Sequence, residues 1–309
     1  MLANFLEKSK PINFIVYLVL FFCFFLTVLY SNFSSDKFTL YKVFESVSFF
    51  ILFNAIFYSY RLLVSKNELT LGHSYAFFLF ILGIILVLSK MFEFKTLILL
   101  LIYLILLIKI YSINSSTEVI QKIFDSGFYL GILYILEPYS LLFFIVIYAS
   151  ILLHQKITIR TFLIPIIGFF TPLIIYFTYV LWSNATENFS KLFYFDVINN
   201  MNIYIKDYAI SVLGTVLLLT LFSVILKSPK VFSISDFFKK SWILLIINAI
   251  IATIFILMVI NKNGSEIAFL LVPTSIIIAN GFDVIRKKII KEVLFWVFLL
   301  GTFAAFFLL

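Results

Sequence analysis

The residues that could do chemistry in this chain are carboxylates and lysines at the ends of long apolar runs. The 309 residues include 15 acidic side chains, 23 basic side chains, two histidines and one cysteine. Cys23 has no second thiol to pair with, and His73 and His154 are far apart in sequence, so neither an intramolecular disulfide nor a histidine metal site is predicted. Chemistry would therefore rest on carboxylates that accept protons and lysines that bind anionic groups, with no cofactor.

Glu137 differs from the other acids because apolar sequence flanks it on both sides. It joins two apolar arms, residues 126–136 and 139–153, which predict a short broken hairpin inside the organising stretch of the chain, residues 125–182. Each arm is shorter than the about 20 residues that cross about 30 Å of hydrocarbon, so Glu137 would lie at a helix break in or near the membrane. A carboxylate at that depth indicates a functional site. Pro138 leaves a structural alternative open, in which the acid caps the helix that begins there.

The composition places the chain in a lipid bilayer. Hydrophobic residues make up 63% of the sequence and charged residues 12%, with a mean hydropathy of +1.16. Ordinary soluble domains are about 45–50% apolar and about 25% charged, so a soluble core could not bury this surface. The net charge of +8 comes from basic residues in short loops, a pattern typical of membrane topology signals and headgroup contacts. We therefore predict membrane lipid as a partner and exclude nucleic acid.

Apolar runs recur along the entire chain and predict an all-α, polytopic transmembrane helical bundle that forms a single domain, residues 1–309. About 11 membrane segments are expected from these runs. They lie near residues 12–31, 46–64, 75–92, 96–112, 126–136, 139–153, 161–182, 208–226, 242–260, 267–282 and 293–309.

The distribution of lysine and arginine predicts the orientation of the bundle. If the N-terminus is cytoplasmic and the segments alternate, seven of the 23 basic residues fall outside, namely Lys37, Lys42, Lys90, Lys95, Lys191, Lys206 and Lys262. All the others fall inside, as the positive-inside rule requires. We therefore predict an N-in, C-out orientation. The Asn-rich composition is typical of a bacterial chain, so the expected location is a bacterial inner membrane.

One outer connection is predicted to form an amphipathic helix over about residues 187–207. Apolar and aromatic residues recur there at three- and four-residue spacing, at Phe189, Phe193, Val197, Met201 and Tyr204. Such a stripe favours a helix in the headgroup plane, where it would roof a lipid-facing groove. The alternative is a loop that packs back onto the bundle.

Two stretches carry a resemblance to an enzyme class. Residues 266–280, which read EIAFLLVPTSIIIAN, and residues 125–138, with their small residues Gly127 and Gly131, resemble parts of polytopic glycosyltransferases of the GT-C type. This resemblance implies a GT-C-like fold that uses a sugar linked to polyprenyl phosphate on the outer face. The whole chain also resembles an uncharacterised family of flavobacterial inner-membrane proteins, through its KSKPINF start and its IFD-G…L-GIL centre.

The GT-C resemblance implies roles for the outer-face residues. Asp36, in the first outer loop, would be the catalytic base for an acceptor hydroxyl, with Glu137 as the second catalytic carboxylate. The remaining candidates would bind the substrate phosphate or share a cation, and they are Lys37, Lys42, Glu45, Lys262 and Glu266. The chain departs from the GT-C pattern because its first outer loop is short and because Arg61, Arg160 and Arg286 all fall inside.

Two other functions stay open from the sequence alone. A non-catalytic scaffold subunit of a cell-envelope complex, in secretion, gliding or lipid assembly, would have protein partners, apolar aromatic grooves and no converging charges. A transporter would use helix breaks at Pro138, Pro165, Pro172 and Pro273, although no internal repeat supports one.

Overall fold

The chain folds into a bundle of α-helices. The computed structural model describes residues 5–7, 11–34, 40–114, 118–184, 186–194, 209–231, 233–259 and 262–308, and no strand occurs in these ranges. The prediction of an all-α fold is therefore confirmed for the described residues.

The α-helices of the described residues are α1 (Pro11–Ser34), α2 (Leu40–Lys66), α3 (Tyr75–Val87), α4 (Phe94–Tyr111), α5 (Val119–Leu136), α6 (Phe144–Leu153), α7 (Ile159–Trp182), α8 (Thr186–Ser190), α9 (Ala209–Val231), α10 (Asp236–Met258), α11 (Ile267–Asp283) and α12 (Lys288–Leu308). Short 3-10 helices lie at Leu88–Lys90, Ser112–Asn114, Pro138–Phe143 and Lys191–Phe193.

Most of these helices are suited to a membrane. By length and composition, 8 helices of the described residues can cross a bilayer, in α1, α2, α4, α5, α7, α9, α10 and α12. Three shorter apolar helical segments, Tyr75–Lys90, Pro138–Leu153 and Ile267–Asp283, accompany them. The chain is therefore a multi-pass integral membrane protein, while the number of passes and the N-in orientation stay predictions.

The hairpin around Glu137 differs from the prediction in its first arm. α5 begins at Val119, not at residue 126, and its 18 residues are long enough to span a membrane. Asp125, one of the polar residues that concealed this start, is paired with Lys109, whose Nζ lies 2.7 Å from Asp125 Oδ2. The second arm is short, as predicted, and consists of the 3-10 helix Pro138–Phe143 followed by α6.

The packed centre of the bundle is α11, not the stretch of residues 125–182. Every α11 residue from 267 to 282 is buried, and α3, α9 and α10 pack around the helix. Polar side chains of α11 bond to other helices and loops, as in the 2.6 Å hydrogen bond between the Tyr60 and Ser275 hydroxyls and the 2.9 Å bond from Asn280 Nδ2 to the Leu69 carbonyl oxygen. A helix enclosed by protein meets little lipid, so it does not need the full length of a spanning helix.

Glycines let α5 and α7 approach each other closely. A Cβ added at Gly127 would collide with the backbone of Pro165, and Gly131 is equally enclosed by α7. Gly168 on α7 faces back, because a Cβ there would collide with the carbonyl oxygen of Phe124. Such small-residue contacts are a common way to pack helices in a membrane.

Contacts across the bundle assign the loops to two ends, which we call the N-terminal end and the opposite end. The 67–74 loop hydrogen-bonds to the segment just before α1 and so lies at the N-terminal end. At the opposite end, Phe24 packs on Phe306 with ring centroids 4.7 Å apart, and Phe25 stacks on Phe92 at 5.6 Å. α1 therefore begins and α12 finishes at opposite ends, an arrangement that the N-in, C-out prediction requires.

Candidate functional site

Glu137 lies at a helix break, as the sequence predicts. It ends α5 and precedes the 3-10 helix Pro138–Phe143, with an extended backbone at φ −147° and ψ 102°. Its backbone N–H donates to the Leu133 carbonyl oxygen at 2.7 Å, and its carbonyl oxygen accepts from the Ser140 N–H at 3.0 Å. Its side chain makes no capping hydrogen bond. The backbone around the break is thus hydrogen-bonded without a capping bond from the carboxylate, and the choice between a functional and a structural role for Glu137 stays a prediction.

The carboxylate of Glu137 pairs instead with Lys95, in the first turn of α4. Lys95 Nζ lies 3.3 Å from Glu137 Oε2, and the two side chains are 47% and 14% exposed, respectively. Burial raises the pKa of the Glu137 carboxyl, nearby Lys95 opposes that shift, and the charge of Glu266 adds to it. A carboxyl with a raised pKa matches what a general base near neutral pH requires, and an exposed ammonium beside it can bind an anionic group.

Other polar side chains surround this pair at the opposite end. Thr96 Oγ1 donates to Glu93 Oε2 at 3.0 Å and lies 3.5 Å from Ser265 Oγ. Glu266 follows Ser265 and is close enough to influence the titration of the Glu137 carboxyl. The first turn of α4, the break after α5 and the turn before α11 position these groups. We call them the Glu137 cluster, and its members are Glu93, Lys95, Thr96, Glu137 and Glu266.

Two of the predicted substrate-binding residues stabilise the turn before α11. Glu266 accepts a hydrogen bond from the Gly264 N–H at 2.9 Å, and Lys262 Nζ donates to the Leu257 carbonyl oxygen at 2.9 Å. Both side chains are buried. Gly264 has φ +93°, which glycine adopts without strain. These bonds hold the turn in place, and the substrate contacts of Lys262 and Glu266 stay predictions.

The predicted residues near the first outer connection are only partly described. Two of them, Asp36 and Lys37, lie outside the described residues. Lys42 and Glu45 occupy the first two turns of α2 and are partly exposed. One turn further, Phe49 stacks on Phe94, the first residue of α4, with ring centroids 4.3 Å apart. α2 therefore begins at the same end of the bundle as the Glu137 cluster.

The amphipathic helix predicted over residues 187–207 is not continuous in its described part. The short helix α8 ends at Ser190, a 3-10 helix covers Lys191–Phe193, and Tyr194 is not helical. Residues 195–208 lie outside the described residues, so the second half of the prediction is untested.

The side chains of this segment explain why it turns toward the protein. Phe189 packs on Phe177 of α7 with ring centroids 4.7 Å apart. The Tyr134 hydroxyl of α5 donates to the Leu192 carbonyl oxygen at 2.8 Å. The described part therefore packs back onto the bundle, as the alternative interpretation holds, and it does so within one turn of Glu137 along α5.

Comparison with known protein families identifies one family that matches almost the whole chain. Residues 1–308 match a family described as "Family of unknown function (DUF6427)". The chain belongs to the DUF6427 family. No curated protein and no solved structure matches it. The expectation of an uncharacterised family is thereby met, while the flavobacterial origin and the GT-C resemblance stay predictions.

Sequence reasoning about this DUF6427 protein missed the role of Lys95. The positive-inside count already put Lys95 on the same side as Glu137, which was the one available signal, but nothing in the sequence paired two residues so far apart. It also missed a buried ion pair at the N-terminal end, where Lys227 Nζ lies 2.9 Å from Asp283 Oδ2 and the Lys227 side chain is only 2% exposed. Lys227 ends an apolar run, which is a weak signal because most such lysines reach the headgroups.

The described residues do not form a metal centre. Within the described ranges, no three histidine, cysteine, aspartate or glutamate side chains come close enough to hold an ion. The carboxylates of the Glu137 cluster can accept protons, and the Lys95 ammonium can bind an anionic group.

Proposed function

We propose that this protein is a GT-C-like glycosyltransferase of a bacterial inner membrane, acting on a sugar linked to polyprenyl phosphate at the end that holds the Glu137 cluster. One observation carries the proposal. The partly buried carboxylate of Glu137, at a helix break, pairs with the half-exposed Lys95 and makes no capping hydrogen bond to the backbone. A scaffold predicts no converging charges, whereas the charges of Lys95 and Glu266 both act on the Glu137 carboxyl.

The roles of the residues follow from their charges. The acceptor hydroxyl loses its proton to Glu137, whose raised carboxyl pKa suits that step, or to Asp36, which the GT-C resemblance favours. The acceptor oxygen then bonds to the anomeric carbon while the bond from that carbon to the phosphate oxygen breaks. The polyprenyl phosphate leaves with the electron pair, and the Lys95 ammonium neutralises its charge.

A non-catalytic subunit of a cell-envelope complex is the second candidate, and one observation favours it. Lys262 and Glu266 are buried, Lys262 bonds to the end of α10 and Glu266 bonds within the turn before α11, so two residues predicted to bind substrate are engaged in structure.

The experiment that separates the two candidates measures the lipid-linked sugars of a deletion strain by mass spectrometry. A transferase predicts that polyprenyl-phosphate-linked sugar accumulates in the deletion strain and that the wild-type chain restores the normal pool. Glu137→Gln should fail to restore it at normal protein level, since loss of a general base lowers the rate by about 10²–10⁴-fold. Asp36→Asn tests the second carboxylate in the same way.

A matched control comes from an exposed acid of the same chain. Glu187, in α8, is exposed and paired with none of the Glu137 cluster, so Glu187→Gln should restore the pool fully. An unchanged pool in the deletion strain, or full restoration by both Glu137→Gln and Asp36→Asn, would favour the non-catalytic subunit.

A further inference from the structure

A cavity of about 560 Å³ lies at the N-terminal end of the bundle, away from the Glu137 cluster. The first turns of α1, the last turns of α2, the 67–74 loop and the start of α10 enclose it. Its volume falls in the range of about 300–1,000 Å³ that is usual for small-molecule sites. Both polar and aromatic side chains line it, so it is suited to a ligand with a charged part and an apolar part.

His73 is the buried polar side chain of this cavity that most needs a ligand. It lines the cavity, is 5% exposed, and stacks on Tyr75 with ring centroids 4.4 Å apart. Among the described residues, neither the Nδ1 nor the Nε2 atom of His73 has a hydrogen-bond partner. Burial lowers the pKa of His73 to about 4, so at neutral pH the ring offers one N–H donor and one acceptor. A buried polar group without a partner is costly, and a bound ligand would remove that cost.

Two opposite charges face the same cavity. Arg61 lies with its guanidinium carbon 4.6 Å from the centre of the Phe14 ring, and Glu68 follows the end of α2 with a left-handed φ of +47°. Both side chains are exposed, and neither forms an ion pair with a residue in the described part of the chain. Each charge is therefore available to a ligand.

The other polar groups of the wall hold the cavity in shape. The Tyr17 and Ser74 hydroxyls lie 2.9 Å apart, and Ser74 Oγ donates to the Leu6 carbonyl oxygen at 2.9 Å. These bonds tie α1 to the 67–74 loop, which carries both Glu68 and His73. The position of this loop relative to α1 is thus set by hydrogen bonds that do not involve Glu68 or His73.

We propose that this cavity binds a phosphoethanolamine group, with the phosphodiester held by Arg61 and the His73 N–H and the primary ammonium held by Glu68. Arginine binds phosphate through paired N–H donors, and a carboxylate is the natural partner of an ammonium. The ligand carries one negative and one positive charge, as the cavity wall does, whereas a phosphomonoester dianion would meet the repulsion of Glu68. Phe237 and Phe238 offer an apolar wall for the carbon chain that follows the phosphate.

This chemistry has two sources, a membrane phospholipid and a soluble phosphoethanolamine ester. The test measures the binding of the detergent-solubilised full chain by native mass spectrometry. The probes are phosphatidylethanolamine, phosphatidylglycerol of the same chain length, and soluble glycerophosphoethanolamine. We expect phosphatidylethanolamine to bind at least tenfold tighter than phosphatidylglycerol. Equal affinity for glycerophosphoethanolamine and the lipid would identify the soluble source, and a clear preference for the lipid the membrane source.

Variants with matched controls assign the binding to this cavity. Arg61→Gln should weaken phosphatidylethanolamine binding at least tenfold, whereas Arg160→Gln, at an exposed arginine outside the cavity, should leave it unchanged. Glu68→Gln should remove the preference over phosphatidylglycerol. Equal binding of the two lipids by the wild-type chain, or equal effects of Arg61→Gln and Arg160→Gln, would overturn the proposal.

A second measurement does not depend on charge-removing variants. Leu71 lines the cavity and is 50% exposed, so a photoreactive benzoylphenylalanine in its place reaches the bound molecule. After irradiation in native membranes, mass spectrometry of the adduct should identify a phosphoethanolamine-bearing molecule. Adducts with any other lipid class in its place would contradict the proposal.

Discussion

At the scale of single residues, the described part of the chain holds three ion pairs, and those of Lys95 and Lys227, at opposite ends of the bundle, differ most in the exposure of the lysine. Lys95 is half-exposed beside Glu137, whereas Lys227 is 2% exposed beside Asp283. A buried lysine needs a close anionic partner, so the Asp283 pair has a structural task. The exposed ammonium of Lys95 can exchange its partner for a ligand, and this difference is why the candidate site is assigned to the Glu137 end.

His73 should make the stability of the protein depend on pH. Burial lowers the pKa of His73 to about 4, the charge of Asp283 opposes that shift, and the charges of Lys227 and Lys291 add to it. An unfolded histidine titrates near about 6.5. Unfolding therefore takes up a proton between these values, so stability is full above about pH 6.5 and falls as the pH drops toward 4. The slope approaches about 1.4 kcal/mol per pH unit for one such group.

The measurement is the unfolding temperature of the purified chain in detergent between pH 7.5 and 5. His73→Gln should flatten the dependence relative to the wild type. His154, whose pKa is also lowered to about 4 by burial, provides the comparison, and the double variant with His154→Gln should be flatter still. Identical slopes in the wild type and in both variants would show that neither histidine is buried in the neutral form.

The sequence could identify Glu137 but not its partner. An acid between two apolar runs is conspicuous in one dimension, and a break at Pro138 follows from the chemistry of proline. The pairing with Lys95 depends on how α4 lies against α5, which no local pattern encodes. For the same reason, the buried states of Lys262 and Glu266 could not be foreseen, because their positions in a polar turn favoured exposure.

At the scale of helices, α5 and α7 form a pair whose closeness depends on glycine. Gly127 and Gly131 face the backbone of α7, and Gly168 faces the backbone of α5, with no room for an added carbon atom. These glycines are visible in the sequence, but the hydrophobic pattern predicted that α5 begins at residue 126, whereas it begins at Val119. Lys122 and Asp125 look like loop residues until the partner of Asp125, Lys109, is known.

Gly127→Val should destabilise the bundle because its side chain would press on the backbone of Pro165, which cannot move aside as a side chain can. Overpacking of this kind costs typically about 1–3 kcal/mol. The matched control is Gly214→Val in α9, where an added Cβ meets nothing within 4 Å. Both variants can be compared by the yield of monodisperse protein in size-exclusion chromatography, and an equal yield would contradict the packing of α5 on α7.

At the scale of the whole molecule, length and composition predicted a polytopic bundle, and the described helices agree with it. The sequence did not reveal which segments lie at the centre. α3 and α11 read as ordinary apolar runs, and only their surroundings show that protein rather than lipid covers them. Apolar side chains suit both surroundings, so hydropathy alone cannot separate them.

The N-in, C-out orientation predicts which positions a membrane-impermeant thiol reagent can reach. In a Cys23→Ser background, Asn188→Cys should be labelled in cells whose inner membrane is intact. Lys239→Cys and Arg286→Cys should be labelled only after that membrane is opened, because the positive-inside rule puts their loops in the cytoplasm. Labelling of Asn188→Cys only after opening would invert the orientation and with it the outer placement of the Glu137 cluster.

The burial of α11 also sets the order in which the molecule can be assembled. α3 packs against α11, yet the chain must be extended from Val87 to Ile267 before the two helices can meet. At about 5–20 residues per second, synthesis leaves α3 without this partner for on the order of ten seconds or more. During that interval α3, whose own helix is shorter than a bilayer is thick, has to be sheltered by α1, by α2 or by an insertion factor. The bundle can therefore close around its centre only after α11, near the C-terminal end of the chain, has been synthesised and inserted.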